Sequence, residues 1–507
     1  MKNKKKSKMK TKIQQTTLNS TGLLILTLLA LISHQATPPS KPNDEYLLIV
    51  EMTRHGSRGP AVPVQTPTWV TNSLTQELTP VGERQHYLLG LNTRKKYSAL
   101  LNTDLGPTEY YIRSTNVNRT IMSAMAHGFG VLTKLNAANL PFANGAVQLN
   151  PPLDTNNIFY DNTDTPFTTP LPSAIETFPI HTQLDLSKDI LFGVVSSCPA
   201  VETTMKANQN ALVTEAEGWQ QLKNLVERVA NKYSLPGLNW LNTIPLLARC
   251  AALGDYAAQD YRNNPTPVIN PFGSASDQND YTLLQRCYTY YQMSLYKNGN
   301  SAAKVFTSPL LNQILVWFDQ KVATNNPLPL KYALFSGHDT SLEPFLYLLN
   351  ILGPDCQAND LKSGTATSTV DCQLSPGTAS QILWELIKKR DSGKYVVKFT
   401  YNGKYYDFCG RGGSDEYGDP LCTLDEFKEV VRANWLVDYG QICGEAQAVT
   451  ATPIPPNETV TVVNGATGNA TLTALSNNGL GQFIRGSGLV RSVGVALAAL
   501  LVLGVIN

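Results

Sequence analysis

The chain has 507 residues, of which 42% are hydrophobic and 16% are charged. This length fits about three ordinary domains or one large α/β body with insertions, and the composition is too apolar for a disordered chain. The net charge is +2, but residues 1–36 hold seven lysines and residues 479–507 two arginines, with no acid in either segment. The remaining body has 32 basic against 39 acidic residues, which disfavours a general nucleic-acid-binding protein.

The N-terminal segment, residues 1–36, is predicted to be a secretory signal peptide. A lysine-rich stretch precedes a ten-residue apolar run at 23–32, and the small residue Ala36 stands shortly before two prolines. Ten apolar residues are too few to cross a bilayer as a helix. A retained membrane anchor is therefore the less favoured alternative.

The body begins with alternating strand and helix patterns. Residues 46–52 (YLLIVEM) form a continuous apolar run, typical of a strand covered on both faces. A helix is predicted from Thr79-Pro80 to about Tyr97, and a second strand at 109–112 precedes a helix over 117–135. This succession predicts an α/β fold with a mainly parallel sheet and helices on both faces.

Residues 141–300 interrupt the succession. They contain proline-rich loops and helical patterns near 215–232 and 281–296, which predicts a mostly helical cap inserted into a core of residues 37–140 and 301–445. The sheet pattern resumes at 332–335 (YALF). Residues 381–387 and 395–401 are predicted to form an antiparallel pair joined by a turn at Asp391-Ser392-Gly393.

The C-terminal end differs in composition from the body. Residues 446–478 are rich in Thr, Asn, Ala and Pro, which is typical of an extended stalk, and carry sequons at Asn457 and Asn469. A third sequon, at Asn118, falls inside a predicted helix and is expected to be unused. In residues 479–507 a polar spacer precedes fourteen apolar residues, which predicts a GPI-attachment signal. The alternative is a short membrane helix or one packed on the body, although a span needs about 20 residues.

Unusual polar clusters follow three of the predicted strands. The first strand ends in Arg54-His55-Gly56-Ser57-Arg58, the second in Arg113 and the third in His338-Asp339. Because ligands of open α/β sheets bind at the carboxyl ends of strands, these side chains are expected to surround one site. Three arginines suit a phosphoryl group, since guanidinium groups fork onto its oxygens and spread its charge.

The two histidines of these clusters predict chemistry as well as binding. The neighbouring arginines are expected to depress the pKa of His55 and keep its imidazole neutral, and a neutral imidazole is a nucleophile. Attack on a phosphomonoester would form a phosphohistidine, with Asp339 protonating the leaving alcohol and His338 stabilising the phosphoryl oxygens. A lone histidine or arginine at a strand end is more often structural or an ion-pair partner. The hypothesis depends on the joint placement of all six residues.

These residues fall in motifs that resemble the histidine acid phosphatase family, close to its lysosomal and prostatic branch. Residues 54–60 (RHGSRGP) match the family signature Arg-His-Gly-x-Arg-x-Pro. Further matches, in the same order as in the family, are residues 78–90, 111–120 and 336–340 (SGHDT). The resemblance runs in pieces from about residue 46 to 443, and four blocks in order are much more specific than one.

The resemblance implies a phosphoglycerate mutase-like fold and a phosphohistidine mechanism. His55 would be the nucleophile and Asp339 the proton donor. The residues that would hold the phosphate are Arg54, Arg58, Arg113 and His338. For His86, His127 and His181 the resemblance implies no direct catalytic role, and structural roles are preferred.

The eight cysteines lie at least 13 residues apart, so CxxC redox and zinc-ribbon chemistry have no support. An even number in a secreted chain predicts disulfides, but spacing alone does not give their pairing. The pairs that the resemblance implies are Cys198–Cys443, Cys409–Cys422 and Cys250–Cys372, with Cys287–Cys356 as an extra pair.

The sequence therefore predicts an acid phosphatase of the secretory pathway, at the cell surface or in a lysosome or digestive vacuole. One alternative is a phytase-like inositol-phosphate phosphatase, although the predicted cap shows no basic run. The other is a catalytically silent anchored surface protein, although all six site residues are present. No metal or organic cofactor is expected, since there is no HExxH motif. The expected partners are a small phosphate monoester and, through the C-terminal segment, a membrane; a homodimer is compatible with the sequence.

Overall fold

The computed structural model describes residues 44–443 with gaps at 62–75, 102–104, 133–176, 186–188, 192–197, 235–243, 297–300, 326, 368–371, 411, 413, 415–421 and 439–441. The predicted signal peptide, stalk and C-terminal segment lie outside the described residues, as do the sequons at Asn457 and Asn469. Among the helices that are described, none has the length and apolar character needed to cross a bilayer.

The centre of the fold is a mixed β-sheet. Its described strands are β1 (Asp44–Arg54), β2 (Tyr110–Ser114), β3 (Tyr332–Gly337), β4 (Gln381–Lys389), β5 (Tyr395–Tyr401), β6 (Lys404–Tyr406) and β7 (Cys422–Thr423). Their order is β2-β3-β1-β4-β5-β6, and β7 pairs with β5. Strands β1, β2 and β3 are parallel, whereas β4 to β7 form antiparallel pairs. The predicted α/β class is confirmed, and the parallel pairing within the described sheet is limited to three adjacent strands.

Helices cover both faces of this sheet. The described helices are α1 (Pro80–Lys96), α2 (Ser98–Leu101), α3 (Asn118–Leu132), α4 (Pro199–Ala216), α5 (Gln220–Lys232), α6 (Leu246–Asn263), α7 (Ala275–Met293), α8 (Ser301–Val322), α9 (Asp339–Leu348), α10 (Pro354–Ser363) and α11 (Leu424–Val430), followed by a π-helical turn, Val431–Trp435. Successive strand residues point to opposite faces, so Val50 of β1 packs in a cluster with α8 and α9. Ile49 packs in another cluster with α2 and α3. Both faces of β1 are therefore buried, as its unbroken apolar run predicts.

The described part of residues 141–300 contains helices α4 to α7. Helices α6 and α7 bury a separate hydrophobic cluster that includes Leu247, Leu253 and Leu284. Outside these helices, His181 forms an isolated bridge with Arg113 of β2. The division of the chain into a core and an inserted cap stays a prediction.

The register of the parallel strands brings their carboxyl ends level. Arg54 of β1 lies opposite Gly337 of β3, and Ser114 of β2 lies opposite Ser336. Strand β4 runs the other way, with Gln381 at its start opposite Thr53 of β1. The loops after β1, β2 and β3 and the loop before β4 therefore meet at one edge of the sheet.

All eight cysteines lie among the described residues and form four disulfides: Cys198–Cys443, Cys250–Cys287, Cys356–Cys372 and Cys409–Cys422. The first and last pairs are those that the family resemblance implies. The expected bond between Cys250 and Cys372 is wrong, and so is the extra pair. Cys250 on α6 faces Cys287 on the packed neighbour α7, whereas Cys372 lies beside Cys356 on α10.

The close approach of α1 and α3 generates a stability prediction. A Cβ added to Gly90 of α1 would lie 2.2 Å from the carbonyl oxygen of His127 on α3. We expect Gly90→Ala to lower the free energy of unfolding by ~1–3 kcal/mol, as overpacking of buried sites does, measured by urea denaturation. Gly218→Ala is the matched control, since its Cβ would meet the Glu215 oxygen at an ordinary 3.5 Å. Equal stability of the two variants would contradict the described packing.

Candidate active site

Four of the predicted site residues converge at the carboxyl edge of the parallel strands. Arg54 ends β1 and His55 follows it, while His338 is the N-cap of α9 and Asp339 is the first residue of that helix. The ring centroids of His55 and His338 are 5.5 Å apart, and Arg54 Nη2 lies 3.0 Å from Asp339 Oδ2. All four side chains are buried.

The loop that carries His55 is held against α1 and α3. A Cβ on Gly56 would lie 2.4 Å from the carbonyl oxygen of Gly82 in the first turn of α1, so only glycine allows this approach. The Gly56 backbone N–H donates to Ser123 Oγ at 3.0 Å. Ser57 N–H donates to Gln85 Oε1 at 2.8 Å. These contacts fix the backbone just after the histidine.

His55 is neutral, and its tautomer follows from one contact. Burial lowers its pKa well below the usual value, and the charges of Arg119 and Arg54 lower it further. Its Nδ1 lies 2.8 Å from the Gly56 carbonyl oxygen. Because a carbonyl oxygen only accepts hydrogen bonds, the proton sits on Nδ1 and the lone pair on Nε2. The imidazole therefore has a nucleophilic nitrogen even at acid pH.

Arg58 joins the cluster through an acidic partner on α6. Its Nη1 and Nη2 lie 3.1 Å and 2.9 Å from the two carboxylate oxygens of Asp255. Burial opposes ionisation of Asp255, but the charge and hydrogen bonds of Arg58, together with the Ala61 N–H and the charge of Arg54, hold the pKa of the carboxyl below its usual value. Helix α6 thus fixes the direction of one guanidinium of the site.

The sequence analysis missed Asp255 and its neighbours on the same helix face. Gln259 accepts from Ser57 Oγ at 3.3 Å, and Asn263 Nδ2 donates to that Oγ at 2.9 Å. Residues four apart on a helix share one face, so the spacing 255, 259 and 263 was a usable signal. Three polar side chains at this spacing indicate a helix face turned toward a polar site.

The structure does not bring Arg113 into this cluster. Strand β2 continues to Ser114, so Arg113 lies within the strand, and its side chain shares a face with Tyr111. Its Nη2 lies 3.1 Å from the buried carboxylate of Asp189, and Tyr111 stacks on His181 with centroids 4.9 Å apart. Arg113 is an ion-pair partner on the sheet face. This is the alternative role that the sequence analysis gave for an arginine near a strand end.

Arg119 is the arginine that approaches the histidines. It lies in the first turn of α3, and its Nη2 is 3.4 Å from His338 Nδ1. Burial and the nearby charge of Arg58 lower the pKa of its guanidinium to about 10. Residue 119 lies in the matched block 111–120, and its place at the start of the helix after β2 was the signal for it.

His338 is also held as a neutral imidazole. Burial and then the charge of Arg119 lower its pKa well below the usual value. Its Nε2 lies 3.0 Å from Thr115 Oγ1, in the loop after β2. Its backbone N–H donates to Ser341 Oγ at 3.0 Å, which closes the first turn of α9.

Asp339 has partners on three sides. Besides the Arg54 ion pair, it accepts a short hydrogen bond from the Tyr288 hydroxyl of α7 and one from Thr340 N–H at 2.9 Å. One helical turn further on, burial and the charge of Asp339 raise the pKa of Glu343 to about 8. The Glu343 carboxyl is therefore neutral at acid pH.

The other described histidines lie outside this cluster. His86 Nε2 is 3.0 Å from the Arg54 carbonyl oxygen, so it supports the backbone beneath the site. His127 Nε2 lies 3.4 Å from Glu51 Oε1 in a buried network that includes the Tyr332 hydroxyl. Within the part of the chain that the structure describes, no group of histidine, cysteine or acidic residues is arranged to hold a metal ion.

A cavity of about 430 Å³ adjoins the cluster at Arg54. Its wall comes from helices α6 and α7, the loop before β4 and the end of β5. Tyr288, which contacts Asp339, is part of this wall. The arrangement offers a neutral imidazole, three guanidinium groups, a carboxyl and room for a small molecule. These are the groups that a phosphoryl-transfer site needs.

Comparison with known proteins identifies the family. The family model for the histidine phosphatase superfamily (branch 2) matches residues 4–402. The chain belongs to this family and is an enzyme of the phosphatase class. The resemblance seen in its motifs is thereby confirmed.

Individual relatives agree with this assignment. Lysosomal acid phosphatase of Xenopus laevis is 29% identical over 436 residues, 83% of each chain. Prostatic acid phosphatase of Homo sapiens is 25% identical over 397 residues, 76% of this chain and 85% of the relative.

The fold is also found in solved structures. Hafnia alvei phytase in complex with tartrate has a TM-score of 0.52 and 14% identity, covering 78% of this chain and 98% of that one. The apo form of Bifidobacterium longum multiple inositol polyphosphate phosphatase has a TM-score of 0.52 and 13% identity, with coverage of 80% and 96%. At these identities the likeness shows the fold alone.

His86 generates a prediction about stability and pH. Burial lowers its pKa to about 3, below the ~6.5 of an unfolded histidine, so its contribution to stability is lost as the pH falls below about 6.5. Below that pH the unfolded chain binds a proton at His86 that the folded protein does not. In His86→Gln this proton uptake on unfolding is absent. We expect the slope of unfolding free energy against pH, over about pH 5 to 6, to be smaller than in the wild type by up to ~1.4 kcal/mol per pH unit. Urea denaturation at each pH measures both slopes, and identical slopes would contradict a neutral, buried His86.

Proposed function

We propose that this chain is an acid phosphatase that hydrolyses phosphate monoesters through a phosphohistidine on His55. The observation that carries the proposal is a buried, neutral imidazole surrounded by the guanidinium groups of Arg54, Arg58 and Arg119. The relatives named lysosomal and prostatic acid phosphatase support the same activity.

The guanidinium groups are suited to hold the phosphoryl group. The buried Nε–H donors of Arg54 and Arg58 have no hydrogen-bond partner among the described residues. A buried donor left without a partner costs ~1–3 kcal/mol, and a phosphate oxygen would satisfy it. Arg119 and His338 complete the proposed phosphate site, so that Arg119 replaces Arg113 in the role expected from the sequence.

The proposed reaction has two steps. His55 Nε2 attacks phosphorus, the bond to the ester oxygen breaks, and protonated Asp339 gives its proton to the leaving alcohol. Water then attacks the phosphohistidine, Asp339 takes a proton from that water, and phosphate leaves with His55 restored. The arginines stabilise the charge on the phosphoryl oxygens in both transition states.

An acid preference follows from the proton donor. Asp339 must be protonated for the first step, and carboxyl groups take up protons toward acid pH. His55 stays neutral over the same range because its pKa is held low.

We also propose that the protein follows the secretory pathway to a lysosome or the cell surface. Four disulfides support an oxidising compartment, and relatives are named lysosomal and prostatic. The signal peptide, glycosylation and GPI attachment stay predictions of the sequence.

The nucleophile can be tested directly. With 4-nitrophenyl phosphate at about pH 5, we expect His55→Asn to lose at least ~10³-fold in kcat, since the nucleophile is removed. Alkaline quenching of the wild type with ³²P-labelled substrate should trap an alkali-stable, acid-labile phosphoenzyme that His55→Asn does not form. Asp339→Asn should still form it with the good leaving group nitrophenol. A fully active His55→Asn would disprove the proposed nucleophile.

The two candidate arginines can be compared as a matched pair. Arg119→Gln is expected to lower kcat/KM by ~10²–10³-fold, as loss of a donor to the transition state does. Arg113→Gln should stay within about threefold of the wild type when rates are normalised to folded protein, since Arg113 binds Asp189 instead. Thermal denaturation gives the folded fraction of each variant. The reverse order of effects would restore Arg113 to the site and reject Arg119.

A further inference from the structure

The cavity beside Arg54 lies on the side of the proposed proton donor. Both Arg54 and Tyr288 are part of its wall, and both contact Asp339 Oδ2. If Asp339 protonates the leaving oxygen, the alcohol that departs extends toward this wall. A volume of about 430 Å³ is in the range of small-molecule sites, so the cavity has room for a compact leaving group.

Two of the charged side chains in this wall already have ion-pair partners within the protein. Arg286 Nε lies 3.1 Å from Asp360, and its Nη1 and Nη2 donate to Gln357 Oε1 and the Thr367 carbonyl at 3.0 Å and 3.3 Å. Asp255 is neutralised by the paired contact with Arg58. Neither group offers a free charge to a ligand.

Arg262, near the end of α6, differs from these two. Its described hydrogen bond runs from Nη1 to the Ala258 carbonyl oxygen at 3.0 Å, within its own helix. Among the ion pairs of the described residues, none involves Arg262. Burial holds the pKa of its guanidinium below the usual value, with the charge of Arg54 acting in the same direction and Tyr281 and Asp255 opposing it. Asp255 is already paired with Arg58, so Arg262 has no ion-pair partner of its own among the described residues.

The neutral polar groups of the wall are largely hydrogen-bonded within the protein. Gln285 Nε2 donates to the Gly254 carbonyl at 2.8 Å, and Thr289 Oγ1 accepts from Ser375 N–H at 2.8 Å. Asn402 Oδ1 accepts from the backbone of β4 at 2.9 Å. Apart from Arg54, which belongs to the proposed phosphate site, Arg262 is therefore the group of the described wall that has both a full charge and unused donors.

We infer that Arg262 forms a second anion site, which selects phosphate monoesters whose alcohol carries one further anionic group, a carboxylate or a second phosphate. A guanidinium binds either anion through paired N–H donors. One uncommitted guanidinium in the wall matches one extra anion and not the many phosphates of inositol hexakisphosphate. This inference rests on the proposed phosphatase activity and specifies its substrate class.

Three substrates with the same carbon skeleton test the inference. Glycerol 1-phosphate has a neutral alcohol, 3-phosphoglycerate adds a carboxylate, and glycerol 1,3-bisphosphate adds a phosphate. In the wild type we expect kcat/KM for the two anionic substrates to exceed that for glycerol 1-phosphate. Arg262→Gln should lower kcat/KM for the anionic substrates by ~10–100-fold, the effect of losing a hydrogen bond to a charged group. Glycerol 1-phosphate should change by less than about threefold, and Arg262→Lys should recover part of the loss.

Arg390→Gln is the matched control, because Arg390 is exposed just after β4 and outside the cavity wall. An equal loss for all three substrates in Arg262→Gln would overturn the inference, and so would no loss for any of them. The ratio between the carboxylate and phosphate substrates tells which anion the site prefers.

Failure of the proposed activity would be recognised separately, as absent turnover of 4-nitrophenyl phosphate by the wild type. Calorimetric binding of 3-phosphoglycerate would still test Arg262 in that case. A loss of affinity of ~10-fold or more in Arg262→Gln, with Arg390→Gln unchanged, supports the second anion site. Equal affinities in the wild type and both variants overturn it.

Discussion

Parallel pairing of β3 with both β1 and β2 is the constraint on which the site depends. It places Arg54 opposite Gly337 and Ser114 opposite Ser336, so three chain segments leave the sheet at the same level. His55, the loop before α3 and His338 then follow within a few residues of those ends. A shift of one residue along a strand reverses which face each side chain meets, and it would separate the two imidazole rings that now lie 5.5 Å apart.

This edge of the sheet brings several arginine side chains together in a buried site. Such a cluster opposes folding unless it is compensated, since burying a charge without a partner is costly. Asp255 compensates Arg58 and Asp339 compensates Arg54, while both site histidines respond by staying neutral. The electrostatics that fit the site for an anion therefore also keep the proposed nucleophile, His55, unprotonated, and the compensating carboxylate of Asp339 is the group proposed to transfer the proton.

Helix α6 connects the two ends of the proposed substrate. Asp255 and Gln259 face the loop after His55, through Arg58 and Ser57. Arg262, seven residues beyond Asp255, lies in the wall of the adjoining cavity. Residues at such spacings share a helix face, so one helix outside the sheet orients an arginine of the proposed phosphate site and carries the cation proposed to bind the leaving group.

Much of the local structure could be predicted from the sequence. The apolar run at 46–52 lies within β1, and Thr79 caps α1 by accepting from the Gly82 N–H. The predicted pair at 381–387 and 395–401 is the β4–β5 hairpin. The predicted helix near 215–232 is instead two helices that separate at residues 217–219. The point where the two helices separate depends on how the two segments pack, and a helical sequence pattern does not predict this.

The sequence by itself determined most of the elements and the polar residues at the ends of β1 and β3, because apolar periodicity, capping and turn residues act over a few positions. Only the tertiary structure decided that Arg119 and not Arg113 approaches His55, since the length of β2 turns Arg113 toward Asp189. It also decided that Cys250 pairs with Cys287 and that Asp255 and Arg262 of α6 reach the site. These outcomes depend on which surfaces pack across long stretches of chain, and contacts of that kind leave no local pattern.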